Sequence, residues 1–170
     1  MRAGAPVSID TRCDDRIVAK LTEAVEIAAP PDRVWSVVAE DVINARKWTS
    51  YLEKVEKLDD GPPGKGTRYR YHLEIARHRE KVEVEQTVYN KPKKCAGKFV
   101  KGPLKGTWSY TYKPLENGST RLVYEMDYEL TGLLRFAGGL LGPQYADGIR
   151  KNMQSLKRYI ESGKGPKPKK

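Results

Sequence analysis

The chain has 170 residues, 38% of them hydrophobic and 32% charged, with a formal net charge of +10. That length suits one domain with a buried core, and no run reaches the roughly 20 apolar residues a membrane-spanning helix needs. Cys13 and Cys95 are its two cysteines; far apart and without CxxC spacing, they exclude a disulfide scaffold and point to a reduced, cytoplasmic setting.

In chain order, residues 1–16 read as a flexible lead-in, and residues 1–15 lack the apolar stretch of a signal peptide. Residues 17–29 read as extended, with Leu21, Val25 and Ile27 on one face. Pro30-Pro31 then opens a short helix, because proline suits the first turn, where its missing N–H costs nothing. Val34, Val37 and Val38 form its inner side, with Trp35 close by. A second short helix is expected over residues 44–51 and a strand over residues 53–58. Asp59-Asp60-Gly61-Pro62-Pro63-Gly64 is a loop by composition.

Further strands follow. Residues 67–75 place Tyr69, Tyr71, Leu73 and Ile75 on one face, and residues 81–89 place Val82, Val84, Gln86 and Val88 on the matching face. After the Asn90-Lys91-Pro92 turn, residues 93–101 contribute Phe99, and Cys95 reads as a strand residue. Residues 102–106 turn the chain into its most informative stretch. There Trp108, Tyr110 and Tyr112 alternate with Thr107, Ser109 and Thr111. Beyond Asn117-Gly118, Leu122, Tyr124, Met126, Tyr128 and Leu130 alternate with Arg121, Glu125, Asp127 and Glu129. Two period-two runs around a turn dipeptide predict a hairpin. With a loop over residues 117–119, Trp108 faces Tyr128, Tyr110 faces Met126 and Tyr112 faces Tyr124. Close-packed cores favour Leu, Ile and Val, whereas a buried tyrosine needs a partner for its hydroxyl. A tyrosine-rich face therefore reads as the wall of a pocket for a small molecule.

The remainder reads as helical. Tyr145, Ile149, Met153, Leu156 and Ile160 recur at helical spacing, with Arg150, Lys151, Lys157 and Arg158 off the stripe. Gly163 stands where a C-terminal cap belongs. Residues 132–143, Gly-rich with Leu133, Leu134, Phe136, Leu140 and Leu141, are expected to be a buried connector. In a second reading, Gly138-Gly139 hinges a gate there over the pocket. Residues 163–170, with Lys164, Lys167, Lys169 and Lys170 among Gly and Pro, are expected to be a disordered tail.

This order of elements resembles the START-like, helix-grip superfamily (SRPBCC). The resemblance rests on Glu26-Ile27-Ala28-Ala29-Pro30 running into Val34-Trp35, on Gly66-Thr67 opening the third strand, and on the hairpin signals Gly102-Pro103 and Asn117-Gly118-Ser119-Thr120-Arg121. Leu156-Lys157 in the last helix completes it. The chain is most similar to the branch named for polyketide cyclases and lipid transport. The resemblance implies an α+β helix-grip fold over residues 17–162, with about seven antiparallel strands curved around a long C-terminal helix and two short helices after the first strand. It also implies a cavity between sheet and helix for a lipid, polyketide-like or aromatic ligand.

If the meander wraps the helix, the wall comprises Tyr69, Tyr71, Leu73, Val84, Gln86, Phe99, Trp108, Tyr110, Tyr112, Tyr124, Met126 and Tyr128. Tyr145, Ile149 and Met153 close it from the helix, in a cavity of a few hundred cubic ångströms. The expected function is that of a carrier, sensor or sequestering protein, without cofactor or metal. A cyclase or aromatase enzyme using the same cavity is the alternative, and a basic membrane-surface adaptor is the second. No catalytic residue is assigned. His72 falls on the outer face, His78 lies near a turn, and Glu23, which shares the apolar face of its strand, is expected in water at an edge. Arg68 and Arg70 should pair with Glu83 and Glu85 across strands. Such a mixed face is poor for phosphate, and the aromatics alternate inward, so no nucleic-acid partner is expected. The Lys-rich tail admits transient contact with an anionic membrane.

Overall fold

The computed structural model describes residues 18–75 and 78–168. The chain runs through β1 (Val18–Ile27) and α1 (Pro31–Trp35), then a π turn over Ser36–Glu40 and a 3-10 turn over Val42–Lys47. Next come β2 (Leu52–Lys57), β3 (Arg68–Ile75), β4 (His78–Asn90), β5 (Lys94–Lys101), β6 (Leu104–Pro114) and β7 (Thr120–Leu130). A 3-10 turn over Gly132–Ala137 leads into α2 (Gly138–Glu161). The strands form one antiparallel sheet in the order β1-β7-β6-β5-β4-β3-β2. This is the helix-grip architecture that the resemblance implies.

The local causes are plain. Pro31 opens α1 at the position where no N–H is required, and Val34 donates to Pro30 O at 3.2 Å. Val34 and Trp35 are completely buried beneath it. The stripe of α2 buries Ala146, Ile149, Met153, Leu156 and Ile160, with the helix packed mainly on β1. Gly163 has φ +77° and donates to Ile160 O at 3.0 Å, the left-handed cap expected of glycine there.

Several expectations need correction. The second short helix is a 3-10 turn that begins earlier and ends before Trp48. Asn44 donates from its backbone to Asp41 O at 3.0 Å and from Nδ2 to Asp41 Oδ1 at 2.8 Å, so local bonds compete with an α-helix. The β6–β7 hairpin is shifted by two residues. Trp108 pairs with Met126, Tyr110 with Tyr124, Tyr112 with Leu122 and Pro114 with Thr120. The longer loop over residues 115–119 is closed by Leu115 N donating to Ser119 O at 2.9 Å. An even shift keeps every side chain on its face. On β4 an extra residue between Gln86 and Val88 bulges against β5. The bulge reverses the alternation: Val88 turns outward, and Tyr89 turns inward to meet Trp35 with ring centroids 4.9 Å apart.

The connector is shorter than expected, since α2 begins at Gly138 and holds Pro143 within its first two turns. Phe136 is 75% exposed, not buried. The side chains of Ile75, Leu133, Leu134, Leu140 and Leu141 lie outside the described residues, as do Cys13, the lead-in, Lys169 and Lys170. Residues 163–166 of the Lys-rich tail lie against α1, where Arg33 donates to the carbonyls of Lys164 and Pro166 and Ser36 Oγ donates to Pro166 O at 2.9 Å. Glu23 does not sit in water. It faces α2, where Arg150 donates to its Oε1 at 2.9 Å. The outer charges pair across strands as anticipated, Arg70 with Glu83 at 2.9 Å and Arg68 with Glu85 at 3.6 Å. His72 joins that outer network, 2.7 Å from Glu56, and His78 is exposed. Among the described residues, no helix is long and apolar enough to cross a membrane.

Candidate functional site

The inner face of β3–β7 and the turns after α1 line a partly open cavity of about 120 Å³. Alternation aims Tyr69, Tyr71 and Leu73 into it from β3, and Val82, Val84 and Gln86 from β4. Cys95 and Phe99 come from β5, Leu104, Trp108 and Tyr110 from β6, and Tyr124 from β7. The cover is Val38, Ala39, Val42 and Ala45 from the turns, then Trp48, Thr49, Tyr51 and Leu52. Tyr145 is the contribution of α2.

Ten of the wall residues read from the sequence therefore meet around one space: Tyr69, Tyr71, Leu73, Val84, Gln86, Phe99, Trp108, Tyr110, Tyr124 and Tyr145. Five do not line it. Tyr112 lies toward α1, with its ring 5.1 Å from Trp35 and its hydroxyl 3.4 Å from Cys95 Sγ. Met126 is buried behind the wall and accepts from Tyr124 Oη at 3.3 Å and Tyr145 Oη at 3.7 Å. Tyr128 packs on Tyr145 with centroids 5.4 Å apart. Ile149 and Met153 fill solid core, because α2 rests on the β1 side and only its first half reaches the cavity. The cavity is thus displaced toward β2–β5 and is smaller than expected. The cover residues were missed because π and 3-10 turns have no hydrophobic period. Their one sequence signal is the pair Trp48 and Tyr51, two large aromatics in a polar stretch.

The wall is held by aromatic contacts. Tyr110 and Tyr124 lie 4.7 Å apart, Trp108 and Tyr110 6.2 Å, and Tyr51 and Tyr145 6.3 Å. Trp108 lies over Gly97, where a Cβ would fall 2.6 Å from its ring. Asn152 on α2 fixes the cover, since its Oδ1 accepts from Ser50 N at 3.1 Å and Ser50 Oγ at 3.3 Å.

Chemically the site is uncharged. Desolvation pushes Tyr51 up to about 12 and raises Tyr71, Tyr110, Tyr124 and Tyr145 strongly. It also pushes the Cys95 thiol up to about 11. These groups are protonated at neutral pH and present O–H and S–H donors. Gln86 adds one amide, and no Asp, Glu, His, Lys or Arg is among the described lining residues. Tyr69 Oη and Trp48 Nε1 are buried without a hydrogen-bond partner. The arrangement can enclose and orient a flat apolar molecule, but it offers no group poised to move a proton near neutrality.

A family model described as polyketide cyclase / dehydrase and lipid transport matches residues 18–161. A crystal structure of a Thermus thermophilus protein is similar at 19% identity and TM-score 0.70, covering 85% of this chain and 98% of that one. The Zhui aromatase/cyclase of a Streptomyces species gives 19% identity and TM-score 0.68, over 88% and 99% of the two chains. A START superfamily protein from Mycobacterium smegmatis gives 18% and 0.62, over 81% and 98%. None of the curated proteins matches the chain in sequence.

Proposed function

Since the chain belongs to the polyketide cyclase / dehydrase and lipid transport family, we propose that it binds a hydrophobic small molecule in the cavity under Trp48 and Tyr51. It acts as a carrier, sensor or sequestering protein in the cytoplasm. The observation that supports this most is the wall itself: aromatic side chains from β3, β5, β6, β7 and α2 converge on one uncharged space. Each methylene buried there contributes about 0.8 kcal/mol to binding.

The similarity in fold to an aromatase/cyclase keeps an enzyme using the same cavity as the second reading. The lining favours the binder, because general acid–base work needs a group tuned toward the operating pH. Exposed Phe136, with the Arg135 guanidinium 4.6 Å from its ring centre, supports brief contact with an anionic membrane during ligand uptake.

Native mass spectrometry of the purified protein, followed by denaturing extraction, tests the proposal. A discrete apolar mass lost on denaturation is expected, and Tyr124→Ala should abolish its retention. Equal retention by Tyr124→Ala would overturn the assigned wall. Turnover of polyketide-like substrates with a bell-shaped pH profile would replace the binder with the enzyme.

A further inference from the structure

We infer that the cavity accepts only uncharged ligands of one or two rings and that Gln86 is the residue that reads an oxygen acceptor on them. This rests on the binding proposal above and narrows it. Size comes first: the cavity measures about 120 Å³, comparable to the engineered apolar cavity of about 150 Å³ that takes benzene. The cavity is not closed on every side, so a second fused ring has room at its mouth.

Charge comes next. A small ligand seated here loses most of its water, and a buried ion costs far more than a buried neutral group unless a counter-charge is supplied. No described lining residue supplies one. Carboxylates that flank lining residues along the chain are engaged elsewhere: Glu40 holds Lys91, Glu53 holds Arg79, and Glu83 and Glu85 pair on the outer face. Nor does the cavity create charge, since burial keeps Tyr51, Tyr110 and Tyr124 protonated.

Polarity then selects among neutral ligands. The wall is rich in donors, with the side chains of Tyr51, Tyr71 and Tyr110 beside the Gln86 amide. Gln86 is 2% exposed and immediately precedes the β4 bulge. Its backbone is spent on Thr67 O at 2.9 Å and Gly66 N at 2.7 Å, which leaves the side-chain amide to the cavity. A ketone, quinone or phenol oxygen meets this donor set; a carboxylate meets it only by bringing an unpaired charge.

The test uses three probes of one size on the full chain: naphthalene, 2-acetylnaphthalene and 2-naphthoate. At pH 7.5 the ketone should bind at least about 100-fold more tightly than the carboxylate. Lowering the pH should tighten the carboxylate about tenfold per unit, following its neutral fraction, and leave the ketone unchanged. Gln86→Leu should weaken the ketone about tenfold while naphthalene keeps its affinity. Gln86→Met, which preserves volume, serves if the first variant does not fold. Equal affinity for ketone and carboxylate would overturn the charge rule and leave the binding cavity standing. Parallel loss of ketone and naphthalene in a folded variant would make Gln86 a packing residue and overturn its reading role. Failure of both neutral probes to bind would overturn the cavity reading and this inference together.

Discussion

Gly97 shows how single residues shape the wall. It stands on β5 opposite Trp108, and the absent Cβ lets the indole lie across the strand backbone. In Gly97→Ala the new methyl would fall 2.6 Å from Trp108 Cζ2 and 2.7 Å from Glu85 O. The carbonyl belongs to the ladder and cannot retreat. Overpacking of this kind costs roughly 1–3 kcal/mol, to be read as a lower urea midpoint with altered Trp108 fluorescence. The tyrosines make a second residue-scale prediction. Tyr51 ionises at about 12 in the folded chain against 10.0 for a free side chain. Above pH 10 the unfolded chain has therefore lost protons that the folded chain still holds, so stability falls with rising pH. Tyr51's contribution is complete below about pH 10 and is lost as the pH rises toward 12. A spectrophotometric titration should show the cavity tyrosinates appearing together with unfolding, not before it.

Elements differ in how openly the sequence announces them. The strands and α2 were legible because periods of two and 3.6 leave one apolar face each, as Tyr69-Tyr71-Leu73 and Ile149-Met153-Leu156 do. The bulge at Gln86–Val88 was not legible, because one extra residue in a ladder leaves no trace in composition. It sent Tyr89 inward against expectation. The hairpin register differs for a related reason: Asn117-Gly118 implies a three-residue loop, whereas pairing stops at Pro114↔Thr120. The cover over the cavity is the least legible element, being built from 3-10 and π turns held by bonds from elsewhere. Chief among those is Asn152, reaching from α2 to Ser50. Asn152→Ala should cost about 1–2 kcal/mol in urea unfolding. It should also loosen residues 48–51, seen as faster amide exchange there while β6 and β7 keep their protection.

At the scale of the molecule, charge and cavity are kept apart. The excess of basic residues lies on outer faces and the tail, partly paired with Glu56, Glu83 and Glu85, and such exposed pairs contribute little individually. The interior space is neutral and aromatic. The sequence indicated a tyrosine-lined face but not where the space would open, because that depends on which half of α2 meets the sheet. Ile149 and Met153 close solid core, and among the described residues of α2 Tyr145 alone reaches the cavity. The account therefore turns on whether the space between Trp48 and the sheet is a real void that takes a ligand. The most direct measurement fills it: Val84→Phe, followed by thermal unfolding and titration with 2-acetylnaphthalene. With a void there, the melting temperature should equal or exceed that of the parent, with probe affinity reduced at least tenfold. A folded variant destabilised by roughly 1–3 kcal/mol, as in a packed core, with probe binding unchanged, would contradict it.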